Sequence, residues 1–404
     1  MTRITRRGFL KQAGAQAVCL GAVPLLASAA SASPRLLVGA HYYLWFPDQF
    51  RGGRYLRAKL RPAQQPLLGE YSSDAPATAE QHIAWASSFG VDFFTLDYWP
   101  GTPLRNARIE EAFLAAQNID SIRFCIFYEL LDLGYDAATG FTVFDGPTID
   151  RFVFDMEDIA SRFFAHPSHL RIGGRPVIVL YVTRTAIGRF AEAMLRARER
   201  LARLGFDPFV IGDEIFWVVA KEDGSGNTDE PQAERIALFD AITAYNLYDS
   251  TERSHFGYGA SSTFLRDARA LYTRYSGAAR GKPVIPMAMP GYNDRGTRLE
   301  LDHQPIPREW RAGAGEGTFF SRWLDGFTLP LVDPGLPMIL ITSWNEWGED
   351  TAIEPLTLAE ATALDVSKAG NTYTRGFRYA GFGTRYLEVL GERTGRWSPA
   401  ATRR

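Results

Sequence analysis

A recurrence constrains this chain more than any single motif. Eight runs rich in apolar, β-branched or aromatic residues fall at positions 36–43, 92–99, 123–130, 176–182, 208–215, 241–248, 282–289 and 338–344. Between them lie amphipathic stretches at 78–89, 109–117, 149–164 and 187–204. In 149–164 the apolar residues Phe152, Met156, Ile159 and Phe163 have helical spacing. Strands alternating with helices imply parallel pairing through right-handed crossovers. Eight such units predict an α/β fold, a (β/α)8 TIM barrel forming one catalytic domain over residues 33–404. An open doubly wound sheet would place a glycine-rich phosphate turn after its first strand. His41-Tyr42-Tyr43-Leu44-Trp45 occupies that place instead.

Residues 1–32 read as a segment outside the fold. Thr5-Arg6-Arg7-Gly8-Phe9-Leu10-Lys11 has twin-arginine character, an alanine-rich apolar stretch follows, and Ala27-Ser28-Ala29-Ala30-Ser31-Ala32 resembles a cleavage site. That order predicts a twin-arginine export signal and a periplasmic or secreted product with no stable membrane insertion after cleavage. Cleavage removes four of the 44 basic residues and none of the 46 acidic ones, leaving a net charge of −6. A mildly acidic chain argues against a nucleic-acid partner, for which a basic stripe is expected. Cys19 leaves with the signal, so Cys125 stands alone, and its neighbours Phe124 and Ile126 suggest a buried strand thiol. Residues 221–230 read as an exposed loop and 394–404 as a loose tail.

A barrel gathers its chemistry at the C-terminal ends of its strands. In strand order, the ends carry Tyr43 and Trp45, Asp97 and Trp99, Glu129, Tyr181, Glu214, and Asn246 and Tyr248. The seventh ends near Tyr292 and Asn293, and the eighth carries Trp344, Asn345, Glu346, Trp347 and Glu349. Acids, amides and rings dominate. Carboxylates and amides bond hydroxyls and rings stack on C–H faces, so the set suits a polysaccharide or oligosaccharide ligand. Taken singly, a strand Tyr or Trp is more often core than platform, and His41 more often structural than a base. Glu346 and Glu349, two acids crowded by two indoles and an amide, resist the structural reading best. His166 and His169 lack the helical spacing of a zinc pair, and no nucleophile elbow or phosphate loop occurs. No metal and no cofactor is expected.

Three passages resemble glycoside hydrolase family 99, whose best-known members are endo-α-mannosidases. They are Trp344-Asn345-Glu346-Trp347-Gly348-Glu349-Asp350-Thr351 with Ile353-Glu354-Pro355; Leu68-Gly69-Glu70-Tyr71-Ser72-Ser73-Asp74 followed by Gly90-Val91-Asp92-Phe93-Phe94 and Tyr98-Trp99; and His166-Pro167 through Arg171-Ile172-Gly173-Gly174-Arg175-Pro176-Val177. The resemblance implies a barrel of retaining enzymes. It makes Glu346 and Glu349 the catalytic pair, Glu346 deprotonating the sugar 2-hydroxyl and Glu349 acting as proton donor. On that reading Glu349 has a raised pKa and Glu346 stays ionised. One departure stands out: the hydrolases carry histidine before the second glutamate and glycine after it, where this chain has Gly348 and Asp350. The glycine variant also occurs in family-99-like proteins of polysaccharide clusters. The leading expectation is therefore an exported glycoside hydrolase acting on an α-mannan-like or related glycan. The alternatives are a glycosyltransferase-type enzyme of surface polysaccharide assembly and a non-catalytic carbohydrate-binding barrel.

Overall fold

A strand followed by a helix cannot hairpin back on itself, so successive strands lie side by side in the same direction. The computed structural model describes residues 35–247 and 261–398. The strands are β1 (Leu37–Tyr42), β2 (Phe93–Tyr98), β3 (Arg123–Glu129), β4 (Arg175–Tyr181), β5 (Phe209–Asp213), β6 (Ala241–Thr243), β7 in two pieces (Val284–Ile285 and Met287–Ala288) and β8 (Met338–Ile341). They pair in parallel in chain order, and β8 closes on β1 through Leu37↔Met338 to Ala40↔Ile341. The result is the nearly closed barrel that the eight runs predict. Pro286 splits β7. It has no N–H to give the ladder, yet its carbonyl still accepts from Leu340 N at 3.2 Å. The first piece pairs with β6 and the second with β8.

The strands read as continuous apolar runs because both faces are covered: every residue of β2, β5 and β8 is buried. Gly39 in β1 is required by closeness. A Cβ there would sit 2.2 Å from the Phe93 ring, and Gly39 is the register partner of Phe93. Helices cover the outside, among them α1 (Pro76–Ser88), α2 (Gly146–Phe163), α3 (Phe190–Arg203), α4 (Ser261–Ala278) and α5 (Arg385–Thr394). In α2 the Asp145 carboxylate caps Thr148 N at 3.1 Å, and Ile149, Phe152, Met156, Ile159 and Phe163 form the buried stripe.

Other expectations come out mixed. Cys125 is buried in β3, as its neighbours suggested. Residues 221–230 are mostly exposed, but they include the short strand Asn227–Thr228, which pairs with Val219–Ala220. The tail is not loose as far as it is described: Arg396 bonds both oxygens of Asp92 at 2.7 Å, and the Trp397 ring packs 5.3 Å from Phe89. An antiparallel pair, Leu356–Thr362 with Tyr379–Gly383, follows the barrel and was not foreseen. The proposed leader and Tyr248 lie outside the described residues. Among the described residues no helix is long and apolar enough to cross a membrane.

Candidate active site

The site is built on the loop that leaves β8. The chain folds straight back on itself: Ser343 N donates to Thr351 O at 3.0 Å and Glu354 N to Trp344 O at 2.9 Å, while Trp344 N ties the loop to His41 O of β1 at 2.8 Å. The residues around the acid pair hold this loop in place. Asn345 is fully buried; its Oδ1 accepts from Tyr43 N at 2.8 Å and its Nδ2 donates to Tyr43 O and the Tyr71 hydroxyl. Trp347 is also fully buried, its indole N–H donating to Glu354 at 3.0 Å. Glu354 in turn accepts from the Tyr71 hydroxyl at 2.7 Å and contacts His82 at 3.0 Å. Trp344 packs edge-on against Phe94, 5.0 Å between ring centres. Asp350 has a left-handed backbone, φ 50°, and its carboxylate is gripped by the buried Arg57 and Arg308 at 2.7 and 2.9 Å. The expectation that Trp344, Asn345 and Trp347 face the ligand is therefore corrected. Their bulk goes inward, where it fixes the loop against the barrel.

That support leaves two side chains at the mouth, Glu346 and Glu349. Glu346 Oε1 accepts from Gln49 Nε2 at 2.6 Å and from Glu349 N at 3.2 Å. Arg298 Nη1 donates to Glu349 Oε1 at 2.8 Å, and Glu349 Oε2 is buried without a hydrogen-bond partner among the described residues. Burial first, and the Glu349 charge second, push the Glu346 carboxyl up to about 8. Glu349 is the main cause holding Arg298 firmly protonated. The two acids thus have different neighbours: a neutral amide lies against Glu346 and the Arg298 guanidinium against Glu349.

Other groups complete the mouth. Tyr43 stacks on Trp45, 4.2 Å between ring centres and 12° from parallel, and Trp45 meets Trp99 edge-on at 5.9 Å. The Tyr43 hydroxyl donates to the Tyr245 hydroxyl at 2.7 Å. Tyr245 feels both glutamates, and Tyr181 feels Glu129 and Glu349. Asp97 accepts from the Trp99 indole N–H and is pushed by burial up to about 7. Its neighbour Glu129 is driven well above the carboxylate range by burial and then by Asp97. Beneath them His41 contacts Thr95 at 2.7 Å and is lowered to about 3 by burial, a neutral structural ring. A cavity of about 310 Å³ opens beside Tyr181, lined also by Leu131, Tyr135, Arg184 and Phe216. A larger one, about 460 Å³, lies at the opposite end of the barrel, where Arg35 and Arg396 both bond Asp92.

The structure thus brings Tyr43, Trp45, Asp97, Trp99, Glu129 and Tyr181 together with the acid pair. It does not bring Glu214, which is fully buried, paired with Arg235 at 2.6 Å and accepting from Thr183 at 2.9 Å. Asn246 is half-buried three residues after β6, next to the end of the described segment. Gln49, Arg298 and Tyr245 were missed. Gln49 is a polar residue inside the aromatic run after β1, and Tyr245 immediately precedes the chosen Asn246, so each left a weak sequence signal. Arg298 left none: it sits in an ordinary polar loop.

Against solved structures the chain aligns with a glycoside hydrolase family 99 endo-α-mannosidase from Bacteroides thetaiotaomicron over 90% of its own length and 98% of that chain, with TM-score 0.57 and 18% identity. This chain has the fold of a family 99 endo-α-mannosidase. A glycoside hydrolase-like protein aligns over 90% of this chain and 95% of its own, with TM-score 0.62 and 18% identity. No family model matches the chain, and no curated protein matches it.

Proposed function

We propose that this chain is an exported glycoside hydrolase that cleaves a polysaccharide or oligosaccharide, α-mannan-like in linkage, with retention at the anomeric carbon. The observation that carries the reading is the pairing of Glu346 with Glu349 on the β8 loop, close enough for the Glu349 charge to raise the other carboxyl. Such a pair enters the reaction with one proton between its members, as acid–base work needs. The protonated carboxyl gives its proton to the glycosidic oxygen as the bond to C1 breaks. The ionised one takes the proton of the sugar 2-hydroxyl, whose oxygen closes on C1. Water then bonds to C1 as the C1–O2 bond breaks; the first carboxylate takes the water's proton and the second returns its proton to O2. The stacked Tyr43 and Trp45 and the edge of Trp99 supply surface for the faces of sugar rings. The family 99 fold and the hydrolase nature of its neighbours support the same class of substrate.

The test is cleavage of a panel of α-mannans and other bacterial and fungal polysaccharides, with reducing ends counted and the product anomer read by NMR. Glu346→Gln and Glu349→Gln should each lower turnover by about 10²–10⁴-fold while the far-UV circular dichroism stays unchanged. Wild-type turnover in both variants, or an inverted product, would sink the reading.

A further inference from the structure

The cavity beside Tyr181 has a cation in its wall. At about 310 Å³ it lies at the lower end of the range of small-ligand pockets. Leu131, Tyr135, Phe216 and Val218 make it apolar and aromatic, and Asn227 adds an amide; Arg184 is the one charged side chain among its lining residues. Arg184 lies three residues after β4 and is held from two sides. Its Nη1 donates to Asp213 Oδ2 at 2.8 Å, and its guanidinium carbon lies 4.4 Å from the centre of the Phe216 ring. The Asp213 carboxylate is wholly buried, and other donors share its charge: Oδ2 also accepts from Val182 N at 2.9 Å and Oδ1 from Tyr245 N at 2.8 Å. The first of these bonds helps to hold Val182 in a left-handed backbone, φ 49°, which a β-branched residue avoids. Glu214, next in the chain, is matched by Arg235 at 2.6 Å. An arginine kept only to brace Asp213 would use one N–H of its five. The edge that carries Nε and Nη2 makes no hydrogen bond with the described residues. That edge presents two parallel N–H groups, the geometry that matches the two oxygens of a carboxylate. The side chain is only 11% exposed, so the fork is fixed in place.

We propose that this cavity is a subsite for an acidic sugar residue, with the Nε–Nη2 edge of Arg184 taking its carboxylate, so that the glycan cleaved at the acid pair is one that carries uronic acids. The inference rests on the hydrolytic reading above and deepens it: the acid pair sets the reaction and Arg184 the substrate. The Tyr181 ring belongs to both regions. It lines the cavity, packs 5.1 Å from the Tyr245 ring, and is raised first by burial and then by the charges of Glu129 and Glu349. A sugar in the cavity and a sugar at the acid pair are therefore neighbours along one glycan. A neutral hexose in the cavity takes water from the guanidinium edge and gives back only neutral acceptors. A uronate gives back two charge-assisted hydrogen bonds. Tyr135 offers a ring face to the pyranose C–H groups. A single cation in the wall matches a single negative charge, and the planar fork favours a carboxylate over the tetrahedral oxygens of a sulfate ester.

Two measurements test this, and the first needs no cleavage. The full protein is titrated with methyl α-D-glucuronoside, methyl α-D-glucoside and the 6-sulfate of the latter, with binding read by saturation-transfer NMR. The glucuronoside should bind about tenfold to a hundredfold more tightly than the neutral glucoside, the range of a charge-assisted hydrogen bond. Arg184→Lys keeps a cation for Asp213 but not the fork, and should lose most of that margin. Tyr135→Ala leaves the bridge between Arg184 and Asp213 in place and should also weaken the glucuronoside, so the cavity is tested even where Arg184→Lys fails to fold. Equal binding of the acidic and neutral glycosides, tighter binding of the sulfate, or a margin that survives in Arg184→Lys overturns the subsite. The second measurement compares cleavage of a polysaccharide of mannose and glucuronic acid before and after its carboxyls are reduced to primary alcohols. Reduction should raise KM by about tenfold to a hundredfold and change kcat less, and Arg184→Lys should distinguish the two polymers less than the wild type does. Equal cleavage of both polymers overturns the subsite and leaves the hydrolase reading intact. Arg184-dependent binding of the glucuronoside with no cleavage of either polymer or of any mannan sinks the hydrolase reading and upholds the subsite as a binding site.

Discussion

Gly348 shows how much depends on one absent side chain. A Cβ at this position would lie 2.5 Å from Gln49 Nε2 and 2.8 Å from Glu346 Oε1. The space beside the first glutamate is filled by Gln49, from the segment after β1, so a side chain at position 348 would have to displace Gln49 or Glu346. This gives a physical reason for the departure from the histidine of the family pattern. Gly348→Ala should push Gln49 off Glu346, and Gln49→Ala should remove the same contact directly. The two losses in kcat/KM are then expected not to add, with a coupling of about 0.5–3 kcal/mol in a double-mutant cycle. Strict additivity would show that Gly348 does not act through Gln49. At this scale the sequence was half legible. Two acids among indoles marked the site, but neighbours along a tight loop point different ways. Glu346 and Glu349 reach the mouth while Trp344, Asn345 and Trp347 turn into the protein, and nothing in the order of letters says which go where.

At the scale of elements, the β8 loop is the least replaceable part of the site. It is clamped by Asn345 on the β1 backbone, by Trp347 on Glu354, and by Asp350 between Arg57 and Arg308. The Asp350 carboxylate and both guanidiniums are wholly buried, and Glu316 lies 2.9 Å from Arg57 as a second counter-charge. Asp350→Ala would leave the two cations sharing that one remaining acid. The expected cost is about 3–5 kcal/mol in urea unfolding, the range for breaking a buried ion pair. A change below about 1 kcal/mol would mean that the cage does not hold the loop. The barrel strands were legible because burial on both faces leaves an unbroken apolar run. The pair Leu356–Thr362 and Tyr379–Gly383 was not, because the exposed face of the first strand carries Leu358, Glu360 and Thr362 and its bulges blur the alternation.

For the whole molecule, gathering acids in a dry barrel mouth has a consequence for stability. Glu346 is raised to about 8 and Asp97 to about 7, so the folded protein holds protons that the unfolded chain has already lost. That contribution is fully present below the ordinary carboxylate range and drains away as pH rises through the folded values. His41 and His169, both lowered to about 3 by burial, act in the opposite sense, but only below the ordinary histidine value of 6.5. Between about pH 6.5 and 8 the raised acids decide the sign. The urea midpoint should fall over that interval, and Glu346→Gln should reduce the fall. A midpoint that rises from pH 6.5 to 8 would contradict the burial described for Glu346.

The sequence by itself determined the barrel, the strand whose end carries the acid pair, and the chemical character of the mouth. Each follows from local pattern: apolar runs of strand length, helical spacing between them, and residue types at run ends. Tertiary structure decided which carboxyl meets which neighbour. Gln49 lies 297 residues from Glu346, and Arg298 lies 51 from Glu349. A carboxyl's proton affinity depends on burial and on charges a few ångströms away, and closing the barrel sets those distances where spacing along the chain does not.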